Sequence, residues 1–351
     1  MKKNKLFAVT VSLMLAASMA LTGCQGSGSK GSQLIVSTWG LGEDVYRENT
    51  IVPFEKANST SVVLETGTTA ERSTKLQSNP NSTIDIIELN QAEAAKCLEA
   101  GVIEAVDVTA LSNFKDLIPS AQTIAESGIG IPYTTNVLGI IYNKEAAGME
   151  INDWADLWDP SLAKKIAIPE ISSTFGPAMV HIASDYKGMD IAEDQGAKAF
   201  EALAELKPNI VKTYSKSSDL ANLFASGEIC VAVIGDFGVE TVQKADAAAE
   251  FVIPEEGTYG NCNVICVTKN SKNKDLAVKW ADWRISKDCQ TVSAELTSEV
   301  PINTTVDGSV VEKLKGEGFM DKLQNAKFVD YTVVNPLLAG WTDSWNRIIN
   351  D

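Results

Sequence analysis

Histidine is almost absent from this 351-residue chain, with His181 the only one. No Cys-x-x-Cys pair and no Gly-x-Ser-x-Gly stretch occurs. A serine or cysteine nucleophile needs an adjacent base, and a zinc site needs four suitable ligands. Carboxylates are plentiful, yet no spaced pair announces acid–base work. We therefore expect no catalytic residue, no metal and no cofactor, and read His181, within the apolar helical "PAMVHIASD", as structural. Basic side chains are also scarce, 30 against 46 acidic ones, for a net charge of −16. Nucleic acid demands a basic footprint, so it is excluded as a partner, as is spread-out adsorption on anionic lipid. What the chain does have is apolar residues, 44% of the total, ample for a core.

The basic start "MKKNK" is followed by the apolar "LFAVTVSLMLAASMALTG". That order, with small residues at the exit, predicts a secretory signal peptide over 1–23. The run of about 18 residues is at the lower edge of what spans a bilayer. "LTGC" resembles the bacterial lipobox, which implies cleavage before Cys24 and attachment of lipid to its thiol. Acyl chains anchor because each buried methylene contributes about 0.8 kcal/mol. The Gly/Ser-rich "QGSGSKGSQ" reads as a flexible tether, 24–33 in all. Cleavage removes Lys2, Lys3 and Lys5 and no acid, so the charge moves from −16 to −19. The expected location is extracytoplasmic, moored to the cell membrane through Cys24.

Five other cysteines remain: Cys97, Cys230, Cys262, Cys266 and Cys289. An odd number leaves at least one free thiol. On a strand, Cys262 and Cys266 share a face, but lie ~13 Å apart along it. That is too far for a disulfide, so they read as small buried hydrophobes.

Strand and helix signals alternate from residue 34 onward. "QLIVSTWG", "TSVVLETG" and "TIDIIELN" read as strands; "EDVYRENTIVPFEKAN", "TAERSTKLQSNP" and "QAEAAKCLEAGVI" read as helices. Such alternation implies parallel pairing through crossovers and an α/β fold. "GIGIPYTTNVLGIIYNKEAAG" breaks the rhythm with two short strand candidates around polar "YTTN". The α/β pattern then restarts. Two lobes are expected, with the chain crossing near 135 and again near 258. Lobe 1 takes 34–135 and 259–303; lobe 2 takes 136–258 and 304–351.

Four stretches resemble the solute-binding proteins of ABC importers, in the type II group that includes spermidine/putrescine, ferric iron, thiamine and phosphonate binders. They are "IPYTTNVLGIIYNKEAAG", "INDWADLWDPSLAKKIAIPEISSTFG", "SGEICVAVIGDF" and "EFVIPEEGTYGNCNVICVTKNSKNKDLAVKWADW". The resemblance implies the two-lobed type II periplasmic-binding-protein fold, with a ligand cleft between lobes that close by a hinge. It also implies a monomer whose partners are a small solute and the permease and ATPase subunits of an importer. A sensory lipoprotein that presents its ligand to a receptor would use the same cleft.

Open α/β sheets bind ligands beyond the carboxyl ends of their strands. Trp39 ends the first strand, and in the resemblance it matches the tryptophan that polyamine binders stack on their ligand. Thr68 and Thr69 stand between a strand and a helix, where they either cap the helix or offer it to an anion. Ser172, Ser173 and Thr174 repeat that arrangement in lobe 2, with more hydroxyls than one cap needs. Asn90 either bonds a ligand or caps the next helix. Asp236 either meets a cation or makes an Asx turn. Tyr259, Asn261 and Asn263 lie at the return crossing. Polyamine binders use carboxylates and aromatics, whereas these positions carry mainly hydroxyls and amides. A small anionic or zwitterionic solute is the expectation, with a polyamine as the alternative.

Overall fold

The computed structural model describes residues 32–40, 43–79, 81–297 and 299–350. The expected signal peptide, Cys24 and nearly all of the tether lie outside those residues. The first strand already begins at Gln33.

Strands β1 (Gln33–Thr38), β2 (Ser61–Thr66) and β3 (Ile86–Asn90) open the fold. β1 lies between the other two and parallel to both. Parallel neighbours need crossovers, and the helices Val52–Asn58 and Thr69–Ser78 supply them. Leu34, Val36, Ile86, Ile87 and Leu89 are fully buried, the pattern of strands covered on both faces.

The remaining strands are β4 (Ile103–Glu104), β5 (Ile131–Asn143), β6 (Ile166–Pro169), β7 (Ile210–Tyr214), β8 (Val231–Gly235), β9 (Ala249–Val252), β10 (Tyr259–Thr268) and β11 (Lys327–Phe328). Their spatial order is β2-β1-β3-β10-β5-β8-β6-β7, with β4 and β11 on β10 and β9 on β5. β6 runs parallel to β7 and β8, so a second parallel set mirrors the first.

One strand joins the two sets. β5 pairs antiparallel with β10 through Val137 and with β8 from Leu138. The sequence predicts two short strands here, but the structure has a single strand of 13 residues. Its polar middle is satisfied in place. Thr134 Oγ1 donates to Val300 O at 2.9 Å and Thr135 Oγ1 to Asn261 O at 3.2 Å. The backbone therefore stays extended. Register slips at Tyr133, since Thr134 faces Asn263 and Pro132 faces Val264, which is a β-bulge. At the change of partners, Val137 N–H donates to Asp236 Oδ1 at 3.0 Å.

The return passage between β9 and β10 is clasped by Trp154. Its indole donates to Gly257 O at 2.9 Å, and its backbone N–H donates to Glu256 Oε1 at 2.7 Å. Gly257 has φ +112, a conformation that favours glycine. Gly139 in β5 is required for a different reason: a Cβ there would come 2.5 Å from the Phe251 ring.

Cys97, Cys230, Cys262, Cys266 and Cys289 are all buried and free. Burial pushes the Cys97 thiol up to about 11 and the Cys262 thiol to about 12, so both remain unreactive thiols. His181 is tucked into the helix Gly176–Tyr186, its Nδ1 2.9 Å from Pro177 O.

Candidate ligand cleft

A cavity of about 410 Å³ opens where the carboxyl ends of β1 and β3 meet the middle of β5 and the start of β10. Thr38 enters it from β1 and Trp39 from just beyond it, Glu88 and Asn90 from β3, and Tyr133, Thr134 and Asn136 from β5. Asn261 and Asn263 come from β10, and Thr174 and Phe237 from the second strand set. Tyr46, Thr69, Thr297 and Glu299 complete the lining.

Trp39 is braced from behind. Its indole N–H donates to Thr69 Oγ1 at 3.0 Å, and the Arg72 guanidinium lies 4.7 Å from its ring centroid. Arg72 is itself fixed by the carbonyls of Gly67, Ser37 and Glu88 at 3.0, 3.0 and 2.8 Å. Burial lowers its pKa, and the charge of Glu88 opposes that.

Glu88 is the centre of the floor. Thr38 Oγ1 donates to it at 2.6 Å, Tyr46 OH at 3.2 Å and Tyr133 OH at 3.4 Å. Burial, then Glu88, raises both phenol pKa values well above the ordinary range, so both rings keep the proton they donate. Arg284 lies beneath, 3.7 Å from Glu88 and 3.4 Å from Glu299, and 4.3 Å from the Tyr133 ring centroid. Burial alone would lower the Arg284 pKa, but Glu299, Tyr46, Cys289 and Glu88 together hold it well above its usual value. Glu88 is thus saturated by donors, whereas Glu299 keeps 28% of its side chain exposed. Asn261 Oδ1 is buried on the lining without a hydrogen-bond partner, an acceptor that asks for a donor.

The structure brings together Trp39, Thr69, Asn90, Thr174, Asn261 and Asn263 of the residues singled out from sequence. Asn90 fills both roles considered for it. Its Oδ1 caps the helix Gln91–Glu99 by accepting from Glu93 N–H at 2.9 Å, while the residue lines the cavity.

The other five lie off the lining. Thr68 forms a capping box with Glu71. Ser173 Oγ donates to Glu170 O at 2.7 Å, and Ser172 is also off the wall. Asp236 is occupied by Val137 N–H and by Lys315 Nζ at 2.8 Å. Tyr259 stands at the start of β10, under the helix Gly176–Tyr186, and its OH donates to Asp185 Oδ2 at 2.8 Å.

The family model for bacterial extracellular solute-binding proteins matches residues 49–315. The chain belongs to that family. This solute-binding protein is 46% identical to an ABC transporter protein from Clostridium perfringens, whose crystal structure it matches with a TM-score of 0.86 over 90% of this chain and 100% of that one. It is 26% identical over 208 residues to spermidine/putrescine-binding periplasmic protein 1 of Haemophilus influenzae, 58% of this chain and 57% of that protein. It is 27% identical over 267 residues to the putrescine-binding protein PotF of Escherichia coli, 70% of this chain and 72% of that one. The spermidine/putrescine substrate-binding protein PotD of Streptococcus pneumoniae, 16% identical with a TM-score of 0.70 over 90% of this chain and 98% of that one, shares the fold. The match thus spans a little over half the length of the Haemophilus relative. The chain shares its α/β fold with these solved structures, as expected from the sequence. No helix among the described residues is long and apolar enough to cross a membrane.

The sequence reading of this solute-binding protein did not single out Tyr46, Glu88, Tyr133, Phe237 or Glu299. Glu88 left one signal, an acid inside the otherwise apolar "DIIELN" just before Asn90.

Proposed function

We propose that this protein captures a small organic amine outside the cell and delivers it to the permease and ATPase of an ABC importer. The carrying observation is the charge of the lining. Its ionisable carboxylates are Glu88 and Glu299, its rings are Trp39, Tyr46, Tyr133 and Phe237, and no lysine or arginine lines it among the described residues. Aromatic faces attract ammonium groups. Asn261 Oδ1 is an acceptor without a partner, and Glu299, whose two oxygens each accept from Arg284 Nη2 at 3.4 Å, is the partly exposed carboxylate that an ammonium can reach. The loop 172–174, which suggested an anionic solute, contributes only Thr174 to the wall. Polyamines are the first class to test, in agreement with the names of the Haemophilus and Escherichia relatives.

In this reading residues 34–135 with 259–303 and 136–258 with 304–351 are lobes that close on the amine, and lipid on Cys24 holds the protein at the membrane. Calorimetric titration with putrescine and spermidine is the test. Glu299→Gln removes a charge-assisted hydrogen bond worth ~1.5–3 kcal/mol, so amine affinity should fall at least about tenfold. Absence of binding to any amine would overturn the proposal.

A further inference from the structure

The cleft continues past Phe237. That ring is 54% exposed, lies 6.2 Å from Phe175 in a stacked pair, and forms a wall shared with a second cavity of about 620 Å³. Asn136 and Thr297 also border both spaces. The two differ in charge. The second is lined by Lys313 and Lys315 of the helix Gly308–Lys315, whereas the first has no basic side chain on its described lining.

The acids of the second cavity are already matched. Asp236 pairs with Lys315 at 2.8 Å and accepts Val137 N–H at 3.0 Å. Glu240 pairs with Lys244 at 2.7 Å. Lys315 keeps only 14% of its side chain exposed and is held in position. An ammonium carries three donors, and Asp236 Oδ2 meets it at 2.8 Å as an ion pair without forming a hydrogen bond. Lys313 forms no ion pair among the described residues.

We infer that this second cavity receives the anionic end of the solute, a carboxylate or phosphate, while its ammonium end rests against Glu299. The inference rests on the amine reading above and narrows it to amphoteric solutes. Lys313 supplies an uncommitted charge, Lys315 supplies oriented N–H donors, and Phe237 packs on the chain that connects the two ends.

The test is calorimetric titration of the full chain with ω-amino carboxylates and with α,ω-diamines of matched length. The amino carboxylate should bind tighter than its matched diamine. Lys313→Glu, a change at an exposed position, should shift the preference toward the diamine at least tenfold. Lys315→Met should shift it the same way, but leaves Asp236 buried and unpaired, so Lys313→Glu is the deciding variant. Tighter diamine binding, with a preference that Lys313→Glu changes less than twofold, would overturn the inference. If Glu299→Gln weakens both classes in that case, the amine reading stands alone. If neither class binds, both fail.

Discussion

Arg284 and Glu88 meet at 3.7 Å with each side chain only 1% exposed. Removing one member of a buried pair strands the other charge, at about 3–5 kcal/mol. Arg284→Met should therefore destabilise the protein by that order, measured by urea unfolding. The double variant with Glu88→Gln should cost less than the sum of the singles, because the fully buried carboxylate goes with its partner and only the partly exposed Glu299 loses one. Strict additivity would show that the two do not act as a pair.

His181 gives a pH dependence with a definite sign. Burial holds its pKa below the ordinary 6.5, against the opposing pull of Pro177 O, Asp185 and Asp190; Lys327 adds to the depression. The folded state thus prefers the neutral ring. Its stabilisation is complete above the unfolded pKa and is lost as pH falls through the folded value. Between about pH 7.5 and about pH 5.5, wild type should lose more stability than His181→Phe. Equal losses in urea midpoints would refute the assignment.

Gly235 ends β8 next to the cleft, and a Cβ there would come 2.5 Å from Phe237 and 2.7 Å from Phe175. Gly235→Ala must displace one of those rings. Phe175 is buried and Phe237 exposed, so Phe237 moves. Overpacking costs about 1–3 kcal/mol. The loss should fall mainly on ligand affinity in calorimetry, with little change in the ligand-free melting temperature. A large drop in melting with unchanged affinity would contradict this.

Cys24→Ala tests the mooring. The variant should be released from the membrane or retained as precursor, as read by detergent partitioning. Partitioning identical to wild type would exclude lipidation at Cys24.

Much of the fold was legible because its strands are short β-branched runs closed by glycine or asparagine. "QLIVST", "SVVLET" and "IIELN" are β1, β2 and β3. The single strand β5 was not, because "YTTN" is polar, and only tertiary partners such as Val300 O keep it extended. The cleft divides along the same line. Trp39, Asn90 and Asn261 announce themselves at strand ends. Tyr46, Arg284 and Glu299 do not, since Tyr46 and Arg284 meet Glu88 from elements more than 200 residues apart and Glu299 joins them through Arg284. Asp236 and Tyr259 had the right location in the chain but were claimed by Lys315 and Asp185.

β5 also has a mechanical consequence. A loop between two bodies bends freely, but a ribbon hydrogen-bonded to β10 at one end and β8 at the other resists twisting like a torsion bar. Any solute that draws the two strand sets together must wind that bar. Its measured affinity is then the contact energy less the work of winding. If the lobes close as proposed, residues along β5 that never touch the solute help to set how firmly it is held.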